Sequence, residues 1–128
     1  MNIEPMIVVK NIPLARDFYQ KALGLQAVHG GDEYEMLMAN GKLVLQLHHH
    51  DAHEHPGLWE PNVRAGNGTV LWFRTKYFAD AVSKIRKANA NIVAEPHVNP
   101  NAKQHEFWFR DPDGYMVVVS DNPGDASQ

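Results

Sequence analysis

The chain has 128 residues, no cysteine and a formal charge of −3, from 12 Lys and Arg against 15 Asp and Glu. That length buries a core without covalent staples, and the missing cysteine excludes a disulfide framework, a thiolate metal site and a thiol nucleophile. An acidic balance with no basic stripe argues against nucleic acid as a partner. The lack of a long apolar run or a signal-peptide pattern argues against a membrane and predicts a cytoplasmic protein.

In chain order, Met6 to Val9 reads as a strand, and Pro13 to about Leu23 as a helix capped by Asn11 and closed by Gly24. Leu14, Phe18 and Ala22 form its apolar stripe at four-residue spacing. Strands follow near Ala27, from Tyr34 to Ala39 and from Lys42 to His48. Asp51 to Gly68, rich in His, Pro, Gly and Asn, reads as a linker. Thr69 to Arg74 then reads as a strand and Tyr77 to about Ala88 as a helix with a Phe78, Val82, Ile85 stripe. Strands near Ile92, from His105 to Arg110 and from Tyr115 to Ser120 complete the pattern. Leu14, Phe18 and Ala22 answer Phe78, Val82 and Arg86 at a constant offset of 64. The element order therefore repeats, and repeated order is evidence of two copies of one unit. The prediction is an α+β fold of two tandem βαβββ modules forming a curved mixed sheet with a concave cup.

Between the last two strands stands Asp111-Pro112-Asp113-Gly114, a tight turn in which Pro112 presets φ and Gly114 takes the conformation a Cβ disfavours. Joined to Phe18-Tyr19, to Leu23-Gly24-Leu25 and to Phe109-Arg110, this turn resembles the vicinal oxygen chelate superfamily. That superfamily contains glyoxalase I, fosfomycin- and bleomycin-resistance proteins and extradiol dioxygenases. The resemblance runs from Met6 to Ser120. It implies one domain over residues 1–122, with a first module at about 1–52, a linker at 53–67, a second module at about 68–122 and a disordered tail at 123–128. It also implies a homodimer, because cups in the superfamily are commonly completed across a two-fold interface. The fold hosts many chemistries, so it does not name a reaction.

The resemblance further implies where metal ligands would stand: Glu4, Gln46, Thr69 and Val118. Val118 has no donor and Thr69 is a weak one, whereas a divalent ion wants three or four fixed N or O donors. The expectation is therefore no cofactor, with Glu4, Gln46 and His48 as an alternative ligand set for Ni, Zn, Mn or Fe. His48, His49, His50, His53 and His55 look like a metal tract. Consecutive strand residues alternate faces, so at most two of the first three share a site.

Alternation along Leu43 to His50 sends the leucines under a helix and Gln46, His48 and His50 to the cup. The same parity sends Phe107 and Phe109 to the core, and Glu106, Trp108 and Arg110 to the cup. His105, Glu106, Trp108, Arg110, Gln46 and His48 are the expected ligand contacts, and Glu106 is the candidate base. Ser83 and Ser120 lack a Gly-x-Ser-x-Gly context, and Gly30-Gly31 is a turn rather than a phosphate loop. Two functions follow. One is a bleomycin-resistance-like protein that holds a small organic molecule, with Trp59, Trp72, Trp108 and Tyr34 available for stacking. The other is a metal-dependent lyase, isomerase or dioxygenase with a rearranged ligand set.

Overall fold

The computed structural model describes residues 1–28, 30–51 and 58–127. The first module comprises β1 (Met6–Val9), α1 (Ile12–Leu23), β2 (Gln26–Ala27), β3 (Tyr34–Ala39) and β4 (Lys42–His49). The second comprises β5 (Val70–Arg74), α2 (Phe78–Lys87), β6 (Asn91–Asn99), β7 (Gln104–Arg110) and β8 (Met116–Ser120). Each module makes its own four-stranded mixed sheet, in the orders β1-β4-β3-β2 and β5-β8-β7-β6. In both, the first strand runs parallel to the last and the remaining pairs are antiparallel. The α+β architecture of two βαβββ units is thus as the repeat predicts. Among the described residues no helix is long and apolar enough to cross a membrane.

Local chemistry explains the first helix. The Asn11 side chain accepts from the Leu14 amide at 2.9 Å, and Gly24 closes the other end by donating to the Gln20 carbonyl at 3.0 Å. The buried side of α1 is Ile12, Ala15, Phe18, Tyr19 and Ala22. Leu14, expected on the apolar stripe, is 55% exposed; the stripe is rotated toward Ala15 and Tyr19 because the Tyr19 hydroxyl finds a buried partner. In α2 only Ile85 is fully buried, with Phe78 and Val82 packed against the core from its edge.

Both helices and the inner faces of both sheets share a single apolar core. Phe18 of α1 meets Phe109 of β7 at 6.2 Å between ring centroids, and the Arg86 guanidinium of α2 lies 5.1 Å from the Phe107 ring. Each sheet therefore spends one face on the common core, and its other face looks away from it.

The Asp-Pro-Asp-Gly turn locks the modules together. Asp111 Oδ1 accepts from the amides of Asp113 and Tyr115, both at 2.9 Å, and Gly114 adopts φ +96°. Across the module boundary, Tyr19 donates to Asp111 Oδ2 at 2.6 Å, Lys10 N to Asp113 Oδ1 at 2.9 Å and Val8 N to the Tyr115 hydroxyl at 3.0 Å. The connecting segment presses on the same tyrosine. A Cβ on Gly66 would stand 2.7 Å from Tyr115 Cδ1, so only glycine fits there.

Two expectations are corrected. The strand near Ile92 extends to Asn99, with Pro96 accommodated because β6 is the sheet edge and its register slips around that stretch. Residues 123–127, expected as disordered, include a 3₁₀ turn at Asp125–Ser127. It is tied down by Gly124 N to Ala102 O and Ala126 N to Lys103 O, each at 3.0 Å. His53 and His55 lie outside the described residues.

Candidate functional site

The ladder registers place three rows of side chains on the outer face of the second sheet. They are Val70, Met116, Arg110 and Asn91; Trp72, Val118, Trp108 and Ala94; and Arg74, Ser120, Glu106 and His97. In the middle row the two indoles flank Val118 and meet edge to face, with centroids 6.1 Å apart at 81°. Val118 is fully buried yet outside the common core, so what covers it is this aromatic pair. Each indole is fixed at its nitrogen: Trp72 Nε1 donates to Ser120 Oγ at 2.8 Å, and Trp108 Nε1 to Glu106 Oε1 at 2.9 Å. Trp72 remains 39% exposed.

Glu106 is the electrostatic centre of the polar row. Its carboxylate is 3% exposed, and Oε2 accepts from Gln104 Nε2 at 2.7 Å and Asn99 Nδ2 at 2.9 Å. His97 Nε2 stands 3.8 Å from Oε1. Burial pushes the Glu106 pKa up, but the bonds from Gln104, Asn99 and Trp108 together outweigh it and hold the carboxyl below its ordinary value. An ionised carboxylate saturated by three donors is a weak proton acceptor, which speaks against Glu106 as a base. Its role in this geometry is to anchor Trp108.

The outer face of the first sheet is simpler. Its rows are Met6, Gln46 and Met36, then Val8, His48 and Tyr34. Gln46 is held by Tyr34, whose hydroxyl donates to Oε1, and by the Glu4 carbonyl, which accepts from Nε2 at 2.9 Å. Leu45 and Leu47 point to the core, as parity predicts, and His48 lies on the outer side. His50 meets Trp59 of the connecting segment edge to face, with ring centroids 5.0 Å apart.

The other predicted residues are placed as follows. Trp108, Glu106 and Arg110 share one face; Gln46 and His48 share another, and within one chain the structure does not bring the two sets together. His105 points to the opposite side of β7 from Glu106. There it stacks on Phe78 at 5.5 Å, and its Nδ1 pairs with Asp121 Oδ2 at 2.6 Å. Glu4 and Thr69 are exposed residues just before β1 and β5. Thr69 lines a cleft of about 300 Å3 with Met6, Val8, Trp59, Arg64 and Tyr115. Among the described residues, no three His, Asp or Glu side chains converge to share a metal ion. The sequence alone assigns no role on this face to Arg74, Gln104 or Asn99, and weighs Ser120 only as a nucleophile; their bonds bring all four to it. Alternation with Leu71 and Phe73 marks Arg74 and Trp72 as outward, and Gln104 has the parity of Glu106.

Known proteins share this fold. The solved structure of an integron cassette protein from the mobile metagenome of Vibrio cholerae is 27% identical, with 94% of this chain and 95% of that one covered and a TM-score of 0.71. A virulence protein from Salmonella typhimurium is 24% identical over 95% and 97%, with a TM-score of 0.69. A glyoxalase/bleomycin resistance protein/dioxygenase family enzyme from Burkholderia phytofirmans is 17% identical over 91% and 94%, with a TM-score of 0.76. No curated protein sequence matches the chain. A family-wide sequence profile, for the glyoxalase/bleomycin resistance protein/dioxygenase superfamily, matches residues 4–119, which is both modules but for the last residue of β8. With that match and the doubled βαβββ plan, the chain belongs to the glyoxalase/bleomycin resistance protein/dioxygenase superfamily.

Proposed function

We propose that the chain binds a small organic molecule on the Trp72–Trp108 face, in a cup whose second wall is the Gln46 face of another copy of the chain. The observation that carries this reading is the indole pair, locked by Ser120 and Glu106 yet left open to solvent over Val118. Rigid, hydrogen-bonded aromatics give a large contact area at little entropic cost. An open face is a poor site alone, since small ligands prefer concavities that bury most of their surface. Val70 and Trp72 on this face, with Met6, Met36 and Tyr34 on the other, offer surface for a two-fold partner.

Metal chemistry fits these residues badly. A carboxylate at the Val118 position would lie beneath the two indoles, and both polar atoms of the Gln46 amide already have partners. We therefore place no metal in the working protein. If that is so, chelation leaves melting unchanged. A resident ion at a hundred times its dissociation constant would add ~2.7 kcal/mol that chelation removes.

The test is a thermal-shift screen of organic small molecules on the wild type, Trp108→Ala and Trp59→Ala, with light scattering alongside. Compounds should raise the melting temperature of the wild type and Trp59→Ala but not of Trp108→Ala, and the scattering mass should be two chains. Stabilisation that survives in Trp108→Ala, or a monomer mass at micromolar concentration, sinks the reading.

A further inference from the structure

Arg74 sits at the end of the polar row, next to the indole row, and its bonding is lopsided. The two hydrogens of Nη1 are shared among three acceptors, Gln104 Oε1 at 2.9 Å, the Asp121 carbonyl at 3.1 Å and, more distantly, Ser120 Oγ at 3.4 Å. All three acceptors are neutral. Nε and Nη2, the side-on edge that grips an oxyanion through two parallel bonds, have no hydrogen-bond partner among the described residues.

The carboxylates nearby are already taken. Glu106, in the same row, gives its oxygens to Trp108, Gln104 and Asn99. Asp121 gives both of its oxygens to His105, to the backbone amide and to Nδ1, each at 2.6 Å. No ion pair of Arg74 exists among the described residues. The guanidinium carbon lies 5.8 Å from the Trp72 ring centroid, which steadies the cation beside the exposed indole. At the other end of the face, Arg110 is a second cation, bonded through Nη1 to the Gly114 carbonyl at 2.8 Å. The first sheet's outer rows, by contrast, hold no arginine or lysine.

We infer that the ligand of this face is an organic carboxylate on a flat apolar body, and that Arg74 is the residue that reads its charge. The inference rests on the indole-face reading above and adds the chemical class. The carboxylate takes the open Nε/Nη2 edge, while the flat body lies along Trp72 and Trp108. A guanidinium pinned by three neutral oxygens does not have to be ordered when the anion arrives, so most of the two-bond gain is kept.

Isothermal titration with 1-naphthoate, 1-naphthalenemethanol and 1-naphthylmethylamine separates the two readings. Naphthoate should bind the wild type about tenfold or more tightly than the alcohol, with the amine weakest. Arg74→Gln should erase the preference and leave the alcohol's affinity in place. Arg74→Lys, which keeps the charge but loses the fork, should give an intermediate preference, and it stands in if Arg74→Gln does not fold. Equal affinity for naphthoate and the alcohol overturns the inference while the indole face stands. A preference for naphthoate that persists in Arg74→Gln also overturns it, because the charge is then read elsewhere. Saturable binding of none of the three removes the indole-face reading, and this inference with it.

Discussion

The two modules follow one plan and divide the labour unequally. In the first, the helix is the heavily buried part: α1 sinks five residues into the core and is capped at both ends, while the outer face of its sheet carries one short amide-centred set of bonds. In the second, the helix is shallow: α2 buries only Ile85 and has no side-chain cap, while its sheet face carries the indole pair and the saturated Glu106. Within one repeated fold, helix burial is concentrated in one copy and the indole face lies in the other. A duplicated unit can do this because both copies share a core, so one can anchor what the other leaves loose.

The largest test of that contrast sets one helix against the other. Phe18→Ala removes a ring that contacts Tyr19 at 5.3 Å and Phe109 at 6.2 Å, and should destabilise by ~3–5 kcal/mol. Val82, its counterpart in the repeat, is half-buried at the core's edge, and Val82→Ala should cost about 1 kcal/mol or less. Urea unfolding of the two variants measures both. Equal losses would mean that the modules share the load evenly.

The next effect lies at the joint between the modules. Asp111 is 5% exposed, and burial, only partly offset by the Tyr19 and backbone bonds, raises its pKa from 3.8 to about 6. The folded state then binds a proton that the unfolded chain has released, so stability falls as pH rises between about 4 and 6 and levels off above. From the shift the loss is up to ~3 kcal/mol. Asp111→Asn keeps an acceptor for the Asp113 and Tyr115 amides and places an amide group opposite Tyr19, while removing the titration. The difference in urea midpoint between wild type and Asp111→Asn should therefore grow from pH 4 to about 6. Parallel curves would clear Asp111 of this role.

The fold was legible because its signals are local. The Asn11 cap, the Gly24 stop, the alternation in β4 and β7 and the Asp-Pro-Asp-Gly turn each act over a few residues. What escaped depends on partners far away in sequence. Leu14 and Tyr19 exchanged places because Asp111, 92 positions along, takes the Tyr19 hydroxyl. Pro96 hid the length of β6, since only pairing shows that this strand is an edge. Parity placed Gln46, His48, Glu106, Trp108 and Arg110 on the outer faces of their sheets, as the registers have them. It could not say that the two groups belong to faces turned away from a common core, nor that Arg74 is pinned by Gln104 and Ser120.

The smallest effect concerns the helix ends and asks whether the imbalance between modules is written in single residues. Asn11 accepts from Leu14 N, so Asn11→Ala should cost ~1 kcal/mol. Tyr77 holds the matching position on α2 and supplies no side-chain acceptor. It is 65% exposed and, among the described residues, its ring carries only a 5.7 Å approach of Lys76, so little packing is lost on replacing it. Its amide is already bonded to Thr75 Oγ1 at 3.0 Å, which leaves the next amides of α2 as the ones a new cap would serve. Tyr77→Asn should therefore stabilise by ~0.5–1 kcal/mol, reversing in sign the effect of Asn11→Ala. Thermal unfolding of the two variants and their double mutant tests this. Because the sites lie on different helices, the two effects should add. If Tyr77→Asn destabilises instead, the exposed tyrosine makes a contact outside the single chain, and the interface of the proposed dimer is where to look for it.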